Sequence, residues 1–208
     1  MNYILSLKNG LAIIISSPSG AGKTTITKSI LKKIKNSYLS ISCTTRKPRI
    51  GEKNCVDYFF MSEKKFSNFK KKNKFLETAK VYDNYYGTLN SEIKKNLKKN
   101  RIILFDVDWQ GSKTIKKNIK SNCFSFFLLP PSISVLKKRL LKRHKDNQKV
   151  ALQRFSSAKK DISHWKEYDY IFINKNLDVC MKEIINKINY LSKEKKRNIE
   201  INKIIKKL

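Results

Sequence analysis

The run Leu11-Ala12-Ile13-Ile14-Ile15-Ser16 leads directly into Ser17-Pro18-Ser19-Gly20-Ala21-Gly22-Lys23-Thr24-Thr25. The first six residues are a short apolar run of the kind that forms a buried strand. The proline and glycines that follow make a turn-rich loop. Ile26, Ile30, Leu31 and Ile34 then recur at helical spacing, which predicts a helix over 23–35. A strand, a glycine-bearing loop closed by Gly-Lys-Thr and a helix form the context that a phosphate loop requires. Gly20 and Gly22 let backbone N–H groups turn inward, and the helix N-terminus behind them favours an anion. Lys23 is expected to reach the β- and γ-phosphates of a nucleoside triphosphate, and the Thr24 hydroxyl to ligate Mg²⁺. Ser17 stands where such loops usually open with Gly. A chance Gly-rich turn is the bland alternative, and the flanking strand, helix and Lys-Thr pair weigh against it.

Farther along, 101–107 (RIILFDV), 124–129 (FSFFLL) and 169–174 (DYIFIN) read as buried strands, and 38–44 (YLSISCT) as an alternating one. Helices are expected over 132–143 and 148–165, and from Leu177 to about Glu194. The basic stretch 195–208 either extends that last helix or frays. Continuous apolar strands separated by helices argue for an α/β fold, a parallel sheet covered on both faces. Segment 46–90 breaks the rhythm. It is polar and aromatic, with strands expected near 57–61, 76–81 and 85–88 and a helix near 62–72, and it reads as a separate lobe. Ligands in such sheets gather at the carboxyl ends of the strands. There the run Leu104-Phe105-Asp106-Val107-Asp108 supplies acids, and Asp106 is a metal candidate once paired with the phosphate loop.

Composition narrows the class. The chain has 208 residues, enough for one domain with a real core, and its 40% hydrophobic content with 11 Phe and 9 Tyr argues against global disorder. No apolar run approaches the roughly 18 residues of a membrane helix. The N-terminus shows no leader pattern, so a cytoplasmic location is expected. Four cysteines without a CxxC pair and two histidines, His144 and His164, make a zinc site improbable and suggest reduced thiols. The net charge of +31 attracts anions. The lysines are dispersed, however, rather than clustered with stacking aromatics, so a specific nucleic-acid partner is not expected.

The segment Ser40-Ile41-Ser42-Cys43-Thr44-Thr45-Arg46-Lys47-Pro48-Arg49-Ile50-Gly51-Glu52, followed by Tyr58, resembles the guanylate kinase signature. The resemblance continues through Phe75-Leu76-Glu77, Asn84 to Thr88, Asp106 to Gly111, Arg139-Leu140, Arg143, Arg154 and Asp169 to Asn174, about residues 11–190 in all. It implies a P-loop NTPase fold: a parallel sheet core flanked by helices (about 1–40 and 92–208), a small GMP-binding lobe (about 41–91) and a short lid (about 139–160). It implies phosphoryl transfer from ATP to GMP, with Mg²⁺ as cofactor and with GMP and ATP as the small-molecule partners. Residues 17–25 would bind ATP, and Thr24 and Asp106 would hold the metal. Lys23, Arg46, Arg143 and Arg154 would act in catalysis, the last two as lid arginines around a loop at 144–147.

The residue chemistry points the same way. Arg46 and Arg49, with Tyr58 and Tyr86, can surround a dianionic monophosphate, because guanidinium forks match phosphate bidentately. Guanine presents N1–H and N2–H donors beside its O6 acceptor. The Glu77 carboxylate accepts both donors, and hydroxyls of Ser42 and Thr88 suit the remaining polar edge. By resemblance, Ser42, Glu77, Thr88 and Asp108 are the guanine-edge residues. The chain departs from the family's habit at Ser17, at Cys55 and His144 (where Gly is usual), and at Asp161, where Glu is usual. Three alternatives stay open: a phosphopeptide-binding module of this fold, a nucleic-acid-binding protein, and a kinase of another phosphorylated small molecule. Monomer and homo-oligomer are equally open.

Overall fold

The structure is a computed structural model and describes residues 10–81, 83–119, 121–143 and 147–205. Its elements in chain order are β1 (Leu11–Ser16), α1 (Lys23–Lys33), β2 (Ser37–Leu39), β3 (Ser42–Thr44), β4 (Phe59–Phe60), α2 (Glu63–Lys71), β5 (Phe75–Val81), β6 (Asn84–Leu89) and α3 (Asn90–Lys98). There follow β7 (Ile102–Asp106), α4 (Trp109–Asn118), β8 (Cys123–Leu129), α5 (Ile133–Arg143), α6 (Gln148–Ser163), a 3₁₀ turn (Trp165–Glu167), β9 (Tyr170–Ile173) and α7 (Leu177–Ile205).

Two sheets result. The core sheet has strand order β2-β7-β1-β8-β9, and its pairings are all parallel. All six residues of β1 are buried, so the run at 11–16 is the spine of the molecule. Ile13, Ile14 and Ile15 have no exposed surface, and burial of each side chain contributes roughly 1.5–3 kcal/mol. Ile13 and Ile15 point to one face, where Ile26, Ile30, Ile184 and Ile188 from α1 and α7 cover them. Ile14 points to the other, against Phe105, Ile93 and Ile115. The expected parallel sheet with helices on both faces is therefore present. The second sheet has order β4-β3-β6-β5; β4, β5 and β6 come from the segment that broke the βα rhythm, and β3 joins them from just before it.

Several boundaries differ from the sequence expectation. The single strand expected over 38–44 is two strands in two sheets: β2 pairs with β7 of the core and β3 with β6 of the lobe. Ser40 N donates to Leu104 O at 2.8 Å, the last bond to the core before the chain crosses over. The side-chain alternation runs straight through this junction, so periodicity could not reveal it. The strand expected near 57–61 shrinks to Phe59–Phe60, and the first helix ends at Lys33. Helices α3 and α4 had no counterpart in the sequence reading. The buried face of α4 is Gly111, Ser112 and Ile115, and that of α3 is Ile93 and Asn96, so neither carries a full apolar stripe. The basic stretch after Glu194 continues α7 as far as Ile205.

Candidate active site

The carboxyl ends of β1 and β7 lie side by side, with Ile15 in register with Asp106. Beyond β1 the chain turns through the phosphate loop. Gly20 has φ +92° and Gly22 φ +100°, a region in which L side chains are strained. Gly22 is also the N-cap of α1, so the free amides of the first helical turn open onto the loop. A Cβ on Gly20 would meet Leu136 and Leu140 of α5 at 3.0 and 3.2 Å, so this glycine lets the helix carrying Arg139 and Arg143 approach the loop closely.

Lys23 forms an ion pair with Asp106 and donates to Val107 O at 3.2 Å. Burial alone would lower its pKa, but Asp106 first, then Tyr58 and Asp108, hold the ammonium above its usual value. The lysine is thus fixed as a cation, with its tip at the strand ends.

Across the way, the lobe sheet sets three polar side chains abreast. Ser42 of β3 is in register with Thr88 of β6, and Thr88 with Glu77 of β5. A register shift between Phe75 and Glu77 marks a bulge in β5. It explains why Leu76 and Glu77 are consecutive yet both buried, and bulges commonly re-aim side chains at sites. Glu77 is 4% exposed and accepts a hydrogen bond from Thr88 Oγ1 at 2.8 Å. Burial, opposed by Thr88 and reinforced by the charge of Asp108, pushes its pKa up to about 7. Asp108 caps α4, accepting from Gly111 N at 2.9 Å, and also accepts from Gln110 Nε2 at 3.0 Å.

The arginine end of the lobe is equally ordered. Arg46 donates through one guanidinium nitrogen to both carboxylate oxygens of Glu52, at 2.9 Å each, and stands 5.2 Å from the Tyr58 ring centroid. The Tyr86 hydroxyl is a further partner of this guanidinium. The rings of Tyr58 and Tyr86 meet edge to face at 6.1 Å.

One cleft of about 760 Å³ joins these groups. Its walls include Ser17, Pro18, Ser19, Gly20, Gly22, Lys23, Thr24 and Thr25 on the core side. Ser42, Arg46, Arg49, Tyr58, Glu77 and Tyr86 line the lobe side. Asp106 and Asp108 lie at the floor, and Arg139, Arg143 and Arg154 complete the rim. Arg154 donates to Ser19 Oγ at 3.3 Å, a direct link from α6 to the phosphate loop.

Two expected site residues do not line the cleft. The Ala21 side chain is fully buried, and its carbonyl accepts from Asn174 Nδ2. Thr88 is 1% exposed and its hydroxyl is engaged by Glu77, so it bears on the cleft through that carboxylate. Three residues of the site are not singled out by sequence alone: Glu52 beyond its place in the motif, Asn174, and Asp161 beyond its departure from Glu. Asp161 lines the cleft two helical turns beyond Arg154, and burial next to Asp108 pushes its pKa up to about 6. The spacing 154 to 161 was a readable signal for one helix face. The loop expected at 144–147 falls, apart from Asn147, outside the described residues. Cys55 has φ +64°, a left-handed geometry that accounts for a preference for Gly there.

Residues 9–191 match the guanylate kinase family profile. The chain belongs to the guanylate kinase family. Guanylate kinase from Rickettsia felis is 48% identical over 181 residues, covering 86% of this chain and 94% of the relative. Guanylate kinase from Rickettsia bellii is 44% identical, covering 93% of this chain and all of the relative. The crystal structure of guanylate kinase from Anaplasma phagocytophilum superposes with a TM-score of 0.74 at 28% identity, covering 88% of this chain and 86% of that one. The P-loop α/β fold expected from sequence stands, and membership of the guanylate kinase family makes the chain a nucleotide kinase.

Proposed function

We infer that this member of the guanylate kinase family transfers the γ-phosphoryl group of ATP to GMP, giving ADP and GDP. One observation supports the reading above others: a buried carboxylate, Glu77, and an arginine–tyrosine cluster share a single cleft with the Lys23 loop. Each nucleotide therefore has its own binding equipment, and the two phosphate ends face a common space.

Phosphoryl transfer asks the protein for alignment, charge neutralisation and exclusion of water rather than covalent chemistry. Residues 17–25 cradle the ATP phosphates, with Lys23 as the fixed cation. Arg46, Arg49, Tyr58 and Tyr86 hold the GMP phosphate. Ser42, Glu77 and Asp108 address the guanine edge, and Thr88 fixes Glu77. Arg143 and Arg154 neutralise charge on the group in flight, and Arg154 starts from its contact with Ser19.

Among the described residues no three His, Cys, Asp or Glu side chains converge to hold a metal. That fits Mg²⁺, which commonly takes one or two protein ligands and fills its sphere with phosphate oxygens and water. Thr24 and Asp106 are the residues we assign to it. The ion, when bound, would neutralise charge on the β- and γ-phosphates.

The core (about 1–40 and 92–208), the lobe (about 41–91) and the lid (about 139–160) act as three units that close over both substrates. Closure dries the site and keeps water from taking the phosphoryl group. The four cysteines are free thiols, which suits a reducing compartment, and we assign the protein to the cytoplasm. No helix among the described residues is long and apolar enough to cross a membrane.

The experiment is an ADP-release assay with GMP, AMP, CMP and UMP as acceptors. Activity confined to GMP supports the reading. ADP release that is equally fast without any acceptor refutes the proposed closure, and equal use of AMP refutes the guanine assignment.

A further inference from the structure

Asn174 stands at the end of β9, two strands away from β1 in the core sheet, yet its side chain reaches the phosphate loop. Its Nδ2 donates to Ala21 O at 2.8 Å, and the residue is 3% exposed. Its own backbone N–H donates to Leu129 O at 2.8 Å, which ties it to the end of β8. A Cβ on Gly22 would come within 2.7 Å of the same Nδ2. The amide nitrogen therefore sits against Gly22, whose φ of +100° and missing side chain leave room for it.

Across a trans peptide the C=O and the following N–H point in opposite directions. A donor that captures Ala21 O from the buried side turns the Gly22 N–H toward the cleft, which Gly22 lines. Inward-facing backbone N–H groups are what a phosphate nest consists of. The sheet beneath makes the amide a rigid strut, because Asn174 is anchored through β8 to β1 itself.

We propose that Asn174 is a positioning residue for phosphate binding, its amide setting the orientation of the Ala21–Gly22 peptide in the phosphate loop. The proposal rests on reading residues 17–25 as the ATP phosphate site. It goes further by naming a residue, 153 positions from Ala21 in sequence, on which the loop's geometry depends. It also specifies the side-chain chemistry. The isosteric carboxylate of Asp would present an acceptor to a carbonyl oxygen, so shape alone does not suffice.

The test is calorimetric titration of the wild type, Asn174→Asp and the milder Asn174→Ser with three probes: ADP, inorganic tripolyphosphate and GMP. Tripolyphosphate carries no base, so it isolates the loop. The expected result is that Asn174→Asp weakens ADP and tripolyphosphate in parallel, by about tenfold or more, the worth of one well-placed hydrogen bond. GMP affinity stays within about twofold, and Asn174→Ser shows the same split. Unchanged tripolyphosphate affinity with weakened ADP overturns the proposal, since Asn174 would then act on the base. Equal loss of GMP and ADP in both variants also overturns it, as a general defect in folding. If the wild type itself fails to bind GMP, the functional reading fails instead.

Discussion

Glu52 grips Arg46 with both carboxylate oxygens, each 2.9 Å from the same guanidinium nitrogen, while one of those oxygens also accepts from Arg49 N at 2.8 Å. One acid therefore organises both arginines of the proposed GMP phosphate site. Arg49 N, Arg46 and nearby charge together hold the Glu52 carboxyl below its usual pKa despite partial burial. Glu52→Gln keeps the shape but halves the acceptor capacity. The expected outcome is a rise in KM for GMP of about tenfold with KM for ATP nearly unchanged, in line with the loss of a charge-assisted bond. Steady-state kinetics with each substrate varied in turn checks it.

Glu77 carries the proposed base recognition, and its carboxyl must be ionised to accept two donors from guanine. With a pKa near 7 it is partly protonated at neutrality. GMP affinity should therefore improve as pH rises from 6 to 8, by up to about tenfold per unit below the pKa and then level off. Glu77→Gln keeps the phosphate site and serves as the reference for titration of GMP's own phosphate. The sign for stability is opposite. The folded state holds the proton more tightly than the unfolded chain, so this stabilisation is complete below 4.5 and lost as pH rises through about 7. Melting temperatures of the free protein across that range, with and without Glu77→Gln, give the check.

Asp106 is the ion-pair partner of Lys23 and lies in register with the end of β1. Asp106→Asn removes the charge but not the shape. We expect kcat to fall by on the order of 10²-fold and the Mg²⁺ concentration needed for half-activity to rise. A magnesium titration of the variant tests both parts. A full rate at unchanged Mg²⁺ would remove Asp106 from the machinery.

Cys55 is exposed and held at φ +64°, with its N–H bonded to Tyr58 O at 2.8 Å. Cys55→Gly relieves the left-handed strain, offset in part by the extra freedom that Gly brings to the unfolded chain. The net expectation is stabilisation by about 0.5–1 kcal/mol, a rise in Tm of about 1–4 °C for a chain of this size. Differential scanning calorimetry measures it directly.

Much of this site was legible because its residues sit in local patterns. The phosphate loop follows a strand and opens a helix within fifteen residues, and Arg46 and Arg49 share one motif. What stayed hidden depends on contacts far apart in sequence. Asn174 meets Ala21 only because β9, β8 and β1 line up in the sheet. Thr88 reads as a free hydroxyl until the register places it beside Glu77. The crossing from β2 to β3 left no trace, since alternation is the same in either sheet. Helix α4 was invisible because its buried face is built from Gly111, Ser112 and Ile115 rather than an apolar stripe, with Gly111 packed close to Val107 and Glu77.

Acceptor specificity of the wild type and of Glu77→Gln, read as ADP formed with GMP or AMP, tests the proposed two-nucleotide cleft most directly. The expected result is strong preference for GMP in the wild type and, in the variant, a loss of that preference by about 10- to 100-fold with ADP affinity intact, the cost of an unpaired buried edge. A variant that separates GMP from AMP as sharply as the wild type would contradict the placement of guanine at Glu77.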